Sequence, residues 1–429
     1  MGDIVVREYA RLTTVPGYAT MDCHSVSQEV FSYVRDLASR FSKSGVPLVH
    51  LEDGAFLRLD NYVGVIQLPG GAVLEIVPKH TPEAEDVEAA RGLLVKMLAT
   101  ITDVRPRTAN VADIRLLKRP LHEWVMSRFL QELDRLVKRG LKFDYHELEE
   151  ERPFVRGRID VSRQMFQSPG RLHLVHVRHE EFMPDCAENR LLRSALRRIR
   201  LATRDAENWR LANELSARTE EIPESNNTSL DFKRWRVGPL LSRYAAIRPW
   251  CELVLGTMMP VAQRGTWEGF SMLFPMEVLF ERYVAIRLGQ RLRPTFQLKR
   301  QSTLHSLCEH DGGWMFQLEP DLLIRGGGSC WVLDTKWKLI DASNKKDKYL
   351  ISEDDVYQMF AYGHRYVDGE GQLLLIYPRS AMFRFPLPDF VFRPNLRLHV
   401  VPFDLEQDRL LADMTPLLTG SGPAALALA

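Results

Sequence analysis

Two aspartates and a lysine stand out because their types and spacing suit the hydrolysis of a phosphodiester. Asp321 precedes one short apolar run and Asp334 follows a second, with twelve residues between the two acids. Three successive glycines separate the runs and predict a tight turn, so the runs should pair as a hairpin. Lys336 follows Asp334 by two residues and should lie on the same face of its strand. We therefore expect two carboxylates and one ammonium group at one end of a sheet.

Such a group suits a hard divalent cation. Mg²⁺ prefers oxygen ligands, which Asp321, Asp334 and the backbone carbonyl of Thr335 can supply. A bound ion would polarise a phosphoryl oxygen and generate hydroxide from water, and Lys336 would orient that water or stabilise charge on the phosphate. The alternative is an ordinary hairpin flanked by two solvated acids. The Pro320-Asp321 pair, the spacing and the apolar strands together favour a Mg²⁺ site, with Mn²⁺ as a substitute ion.

Length and composition exclude several classes of protein. The chain has 429 residues and a formal net charge of +1, so it has room for two or three domains but lacks the basic balance of many DNA-binding proteins. No apolar run reaches the roughly 18 residues of a membrane span, and no signal peptide is evident. Five scattered cysteines without close pairs indicate a reducing, cytoplasmic location. Because no P-loop motif is present, any nucleotide hydrolysis must belong to a partner.

Hydrophobic periodicity predicts a mixed α/β protein. Short strands alternate with turns between residues 46 and 80, and a long amphipathic helix over residues 120–140 ends at Gly140. Strands are expected over Phe154–Val161 and Leu172–Arg178, and an exposed loop over Glu214–Ser229. The tail 415–429 is small and apolar and is expected to be disordered.

A helix over Asn189–Arg204 carries six arginines and no acid. Such a basic face could follow a phosphate backbone, since cationic side chains supply most sequence-independent affinity for DNA. It could equally be a structural helix whose arginines pair with Glu180, Glu181 and Glu188 or face water. A lysine-rich loop over Asp341–Tyr349 has the same two interpretations.

The order Pro320-Asp321 followed by Asp334-Thr335-Lys336 resembles the signature of PD-(D/E)XK nucleases. Nucleases of this type often take a further acid from the helix before the hairpin. Here that helix is predicted over Pro275–Leu292, which implies Glu281 as a further metal ligand, with Glu277 second. The alternative is a solvated Glu281 that pairs with Arg282 or Arg287.

The RecB-like branch of these nucleases also has a Gln-x-x-x-Tyr pattern on the next helix. Gln358 and Tyr362 match it and should lie on one helix face. The resemblance implies that Gln358 borders the metal site and supports the catalytic group.

Over most of its length the chain resembles McrC, the nuclease subunit of McrBC-type modification-dependent restriction systems. The order and spacing of several blocks are more specific than any one block, and a tryptophan at position 337 stands where the family usually has tyrosine. The blocks are Asn61-Tyr62-Val63-Gly64-Val65-Ile66, Leu74-Glu75-Ile76-Val77-Pro78-Lys79, Arg139-Gly140-Leu141, Arg156-Gly157-Arg158-Ile159-Asp160, Glu188-Asn189-Arg190-Leu191-Leu192, Leu279-Phe280-Glu281-Arg282-Tyr283-Val284, Pro320-Asp321 and Asp334-Thr335-Lys336-Trp337-Lys338.

The resemblance implies a division of labour along the chain. Residues 1–115 would form a β-rich, partner-binding region with helices, residues 116–240 a middle region that contacts the AAA+ ring or DNA, and residues 241–429 a restriction-endonuclease-like domain with a central mixed sheet flanked by helices. The implied partners are a hexameric McrB-like AAA+ GTPase, whose hydrolysis the chain stimulates, and double-stranded DNA, which it cleaves. Complexes could also dimerise through the nuclease domain.

Two other functions stay open at this point. The chain could be an adaptor that activates an AAA+ ring without cutting DNA, or a stand-alone, structure-specific nuclease. Target recognition is implied to belong to the partner, and both GTP and ATP stay open as the nucleotide that the partner hydrolyses.

Overall fold

The computed structural model describes most of the chain, and all structural statements below concern these residues. Close packing groups residues 1–121 and 262–429 into one compact unit and residues 122–261 into another. The first and third regions expected from the sequence therefore fall largely in one unit, and their separate roles stay a prediction. The described residues are 3–41, 48–52, 54–79, 87–102, 120–236, 238, 241–255 and 271–412.

The amino-terminal part of the first unit is rich in strands, as the sequence predicts. Its strands are β1 (Ile4–Arg7), β2 (Arg11–Thr13), β3 (Cys23–Ser25), β4 (Val49–Glu52), β5 (Phe56–Leu59), β6 (Tyr62–Gln67), β7 (Val73–Val77) and, from later in the chain, β11 (Ser271–Pro275). They form two four-stranded sheets, one ordered β3-β2-β5-β4 and the other β1-β7-β6 followed by Ser271–Pro275. The sheet that contains β1, β7 and β6, called the amino-terminal sheet below, thus takes a strand from the carboxy-terminal half of the chain.

A mixed sheet forms the centre of the carboxy-terminal part of this unit. The strands are β12 (Phe296–Arg300), β13 (His305–His310), β14 (Gly313–Leu318), β15 (Leu322–Gly326), β16 (Ser329–Thr335), β17 (Gly371–Pro378), β18 (Phe390–Arg393), β19 (Leu396–Asp404) and β20 (Arg409–Leu410). The sheet order is β12-β15-β16-β17-β19-β18, with β20 beside β19, and β13 and β14 form a separate hairpin. β16 runs antiparallel to β15 but parallel to β17, and β17 runs parallel to β19, so the sheet changes from antiparallel to parallel pairing at β16.

Helices cover this sheet. The helix Glu353–Tyr366 packs on β16 and β17, and the helix Met276–Arg291 also contacts β16. β17 is buried along nearly its whole length, as expected of a parallel strand with both faces covered. The remaining helical segments of the unit are Gln28–Phe41 and Val87–Ile101, with short 3-10 turns at Pro69–Gly71 and Lys348–Leu350. The predicted mixed α/β class is confirmed.

The second unit combines helices with a three-stranded sheet. The long helix predicted over 120–140 is confirmed at Leu121–Lys138, and Gly140 has the expected left-handed conformation with φ +89°. The strands are β8 (Asp144–Arg152), β9 (Arg158–Ile159) and β10 (Val175–Met183), and their order in the sheet is β8-β10-β9. The other helical segments are Val161–Met165, Pro169–Arg171, Ala187–Ala202, Ala206–Arg218, Thr228–Arg234, Ser242–Ala245 and Arg248–Leu255.

Three expectations for this unit are wrong in part. The strand expected over Phe154–Val161 shrinks to β9, because Gly157 has φ +74° and approaches the carbonyl of Arg178 more closely than any side chain would allow. The strand expected over Leu172–Arg178 begins and ends later, as β10. The loop expected over Glu214–Ser229 contains the end of one helix and the start of another, because Asn227 caps the second by accepting from the amide of Leu230.

The basic helix, observed at Ala187–Ala202, makes several ion pairs within its own unit. Arg190 pairs with Asp185 and with Asp231, at 2.7 Å in each case, and Arg197 pairs with Glu224 at 2.7 Å. Two of the arginines thus have acidic partners within the unit, although these acids differ from the ones expected. Contact of the helix with a phosphate backbone stays a prediction. The tail 415–429 lies outside the described residues.

All five cysteines are free thiols. Among the described residues, no helix combines the length and apolarity needed to cross a membrane.

Candidate active site

The hairpin predicted from the sequence is present and brings the signature residues to one end of the central sheet. Leu322 of β15 pairs with Leu333 of β16, so Asp321 and Asp334 lie at adjacent positions in the register. The backbone N–H and the hydroxyl of Thr335 both donate to Oδ2 of Asp321, at 2.7 Å each. These two bonds fix the Asp321 carboxylate against the end of β16.

Asp334 is buried in a position that disfavours its charge. Its side chain is 1% exposed, and Oδ2 lies 2.9 Å from Nζ of Lys336 without a well-directed hydrogen bond from any described residue. Burial, and next the charge of Asp321, raise the pKa of Asp334 from 3.8 to about 7, although Lys336 opposes the rise. The site thus contains a carboxyl group that ionises less readily than a solvated aspartate.

Lys336 is held by a short chain of hydrogen bonds. Its Nζ donates to Oε1 of Gln358 at 3.0 Å, and Nε2 of Gln358 donates to the hydroxyl of Tyr362 at 2.7 Å. That hydroxyl donates in turn to the carbonyl of Glu319, two residues before Asp321, at 3.0 Å. Burial alone would lower the pKa of Lys336, but the carboxylate of Asp334 raises it above its usual value. The lysine is therefore a fixed cation, and Gln358 contacts it directly.

Glu281 projects from the helix Met276–Arg291 and is 8% exposed. Its Oε1 is buried without a hydrogen bond from the described residues, and Arg300 Nη2 stands 3.7 Å away. Burial, followed by the charge of Asp321, raises the pKa of Glu281. Arg287, one of the partners considered for a solvated glutamate, instead pairs with Asp408 at 3.2 Å. Glu281 is therefore a buried acid whose ionisation depends on Asp321.

The donor set suits a hard cation, since the buried oxygens Asp334 Oδ2 and Glu281 Oε1 both lack a hydrogen bond from the described residues. Within the described ranges, however, no three Asp, Glu, His or Cys side chains already stand close enough together to hold a metal ion. The Thr335 contacts turn one oxygen of Asp321 toward β16. The candidate ligands thus share one rim of the sheet but are not assembled into a complete site.

Two residues near the site were missed by the sequence reasoning. Asp355, which is 6% exposed, accepts a hydrogen bond from Lys338 Nζ at 3.0 Å and lies 3.8 Å from Lys336 Nζ. In the sequence it has the position of an ordinary acid in the first turn of a helix, three residues before Gln358 and on the same helix face. Glu8 accepts from the indole N–H of Trp337 at 2.8 Å across 329 residues of chain, and no local pattern could have indicated this contact.

Comparison with known proteins places the chain in a family. The profile of the McrBC 5-methylcytosine restriction system component matches residues 57–378, which is more than half of the sequence. The chain belongs to this family. The matched residues include the hairpin, Glu281 and Gln358, so the site described above lies within the part of the chain that the family profile matches.

Two solved assemblies contain chains similar to this McrBC component. One is the tetradecameric assembly of Thermococcus gammatolerans McrB AAA+ hexamers with bound McrC, where the match has 18% identity, covers 94% of each chain and has a TM-score of 0.62. The other is the Thermococcus gammatolerans McrBC complex, with 20% identity over 67% of this chain and 87% of that chain, and a TM-score of 0.48. At such low identity the first match shows a shared fold. A comparison with curated proteins gives no match.

Proposed function

We propose that this chain is the DNA-cleaving subunit of a McrBC-type restriction complex, and that it hydrolyses phosphodiesters with Mg²⁺. The observation that carries the proposal is the arrangement of Asp321, Asp334 and Lys336 at one sheet rim, with Gln358 fixing the lysine. Membership of the McrBC family supports the restriction context.

Mg²⁺ would be held by Asp321, Asp334, Glu281 and the carbonyl of Thr335, and would supply Lewis acidity at the phosphate. The chain's own contribution is to hold the ammonium group of Lys336 at the end of β16. The ammonium of Lys336 orients the attacking water or offsets negative charge that develops on the phosphate, and it needs no reorganisation because Gln358 already binds it.

The proposed partner is a hexameric AAA+ GTPase that moves DNA and whose hydrolysis this chain stimulates. Similarity over 94% of both chains to a component of the McrB–McrC assembly supports this partnership, as does the near-neutral net charge. The proposal leaves the positioning of DNA and the choice of target to the complex, with residues 1–115 as the docking region and residues 116–240 reaching the ring or DNA.

Replacing Lys336 by glutamine tests the nuclease assignment. Lys336→Gln removes the charge and leaves an uncharged polar side chain that is one bond shorter, so cleavage by the assembled complex should fall by about 100-fold or more. Stimulated nucleotide hydrolysis, measured in the same preparation, should be unchanged and serves as the control. Equal cleavage by the variant and the wild type would reject this site.

A second candidate, the non-cleaving adaptor, is favoured by the incomplete convergence of the three acids. An adaptor would stimulate nucleotide hydrolysis in the complex, yet the wild type would cut neither methylated nor unmethylated DNA. Cleavage by the isolated wild-type chain would instead favour the stand-alone nuclease.

A further inference from the structure

A buried acid on the helix after the hairpin, Asp355, contacts both lysines that follow Asp334. Lys338 Nζ donates to Asp355 Oδ2 at 3.0 Å, and Lys336 Nζ lies 3.8 Å from Oδ1. The hydroxyl of Tyr377, on β17, donates to Oδ2 at 3.3 Å and fixes the carboxylate from the sheet side. Asp355 is thus built into the space between the helix and the sheet.

The two acids that precede Asp355 in the first turn of the helix differ from it in exposure. Glu353 and Asp354 are exposed, and Glu353 pairs with Lys348 at the surface. Acids in the first turn of a helix stabilise it through the helix dipole, and that effect does not require burial. The burial of Asp355 and its three partners therefore point to a second role.

That role follows from the surroundings of Lys336. Its Nζ has three acceptors nearby: Asp334 Oδ2 at 2.9 Å, Gln358 Oε1 at 3.0 Å and Asp355 Oδ1 at 3.8 Å. A divalent ion and the ammonium would compete for the Asp334 oxygen if Asp334 is a metal ligand. Gln358 is neutral, so Asp355 is the negative group that remains for the lysine.

We propose that Asp355 is a positioning residue that holds the ammonium of Lys336 on the helix side of the site and leaves Asp334 available as a ligand. Lys338 shares the same carboxylate and keeps it in place from the solvent side. The consequence for catalysis rests on the proposed nuclease function, whereas the hold on the two lysines does not.

The interaction of Asp355 with Lys336 and Lys338 can be measured without a DNA-cleavage assay. The full-length chain is treated with acetic anhydride, and acylation of Lys336 and Lys338 is followed by mass spectrometry, with the exposed Lys345 as an internal reference. In Asp355→Asn both lysines should react about three- to fivefold faster, because each loses a charged partner. Asp354→Asn, which removes an exposed acid from the same turn, should change neither rate.

Two further variants separate positioning from a fold defect. Asp355→Glu keeps the charge and should restore most of the slow acylation. Tyr377→Phe keeps the Asp355 charge but removes the hydroxyl that fixes it, so both lysines should react faster by a smaller factor. Faster labelling of Lys338 alone, with Lys336 unchanged in Asp355→Asn, would overturn the proposal.

The catalytic consequence is measured in the assembled complex. Asp355→Asn should lower kcat for DNA cleavage about tenfold or more and leave KM for DNA and stimulated nucleotide hydrolysis unchanged. An unchanged kcat would overturn the positioning role. If the labelling result is obtained but the wild type cuts no DNA, the proposed function fails while the hold of Asp355 on Lys336 stands.

Discussion

Replacing Asp334 by asparagine removes a charge that the folded chain disfavours while preserving the shape of the side chain. Asp334 is 1% exposed, and its pKa rises from 3.8 to about 7 through burial and the nearby charge of Asp321. A pKa rise of this size corresponds to a few kcal/mol in the free energy of ionisation. We expect Asp334→Asn to abolish cleavage by the complex and to raise the stability of the central sheet at alkaline pH.

The pH dependence of this effect follows from proton linkage. Below 3.8 the Asp334 carboxyl is neutral in both the folded and the unfolded chain, so wild type and variant should be equally stable. As the pH rises toward 7, the unfolded chain ionises first and gains stability relative to the folded one. Between about pH 4 and pH 7, the free energy of unfolding of the wild type should therefore fall by a few kcal/mol, whereas this group makes no such contribution in Asp334→Asn. The difference in stability between the two proteins should level off above pH 7.

Hydrogen exchange of the amides in β16 and in the helix Glu353–Tyr366 measures this local stability directly. At pH 8 without metal, the variant should exchange more slowly once the intrinsic rates are corrected. Added Mg²⁺ should reduce the difference in exchange rate between the two proteins. At ten times its Kd, an ion that binds only the folded wild type stabilises that state by about 1.4 kcal/mol. The variant, which lacks one ligand, should respond little.

Asp354→Asn is the matched control, since it removes a carboxylate that is exposed on the neighbouring helix. It should change neither the pH dependence nor the response to Mg²⁺. Faster exchange in Asp334→Asn than in the wild type at pH 8 would refute the reasoning, because it would mean that the attraction of Lys336 outweighs burial and the repulsion from Asp321.

Two further predictions concern contacts that support the site. Trp337→Phe keeps an aromatic ring but removes the N–H that donates to Glu8, so the free energy of unfolding should fall by about 1–3 kcal/mol in chemical denaturation; an unchanged value would show that this bond is dispensable. Gly64→Ala should greatly lower the melting temperature measured by circular dichroism, because Gly64 has φ +132° and a Cβ there would lie 2.0 Å from the carbonyl of Met272. Gly92→Ala, where a Cβ meets open space on a helix, is the control and should leave that temperature unchanged or raise it.

The central hairpin could be predicted from the sequence because its signals are local. Two apolar runs around a glycine turn fix the strands, and the register then brings Asp321 next to Asp334. The contact between Lys336 and Gln358 also follows from local rules, namely strand alternation and the position of the next helix.

Asp355 and β8 could not be predicted from the sequence, because neither has a sequence pattern that distinguishes it from common surface features. Asp355 has the sequence signature of any acid in a first helical turn, and only its burial distinguishes it. β8 was not predicted because its acidic sequence lacks the usual β-branched residues. Cross-strand pairs stabilise it instead, such as Glu149 with Arg178 of β10 at 3.1 Å.

Contacts between the amino-terminal and carboxy-terminal parts of the chain position the candidate site. The strand Ser271–Pro275 pairs with β6, and the N–H of Met276 donates to the carbonyl of Asn61, so the helix that carries Glu281 starts at the edge of the amino-terminal sheet. Glu8 binds Trp337, the residue after Lys336, and thereby ties β16 to the same part of the chain. Glu281 and the rim of β16 are also the groups that must approach each other to complete a metal site. The proposed docking of the amino-terminal region on a ring therefore acts on the elements that carry these groups, which gives a physical reason why cleavage should depend on the partner.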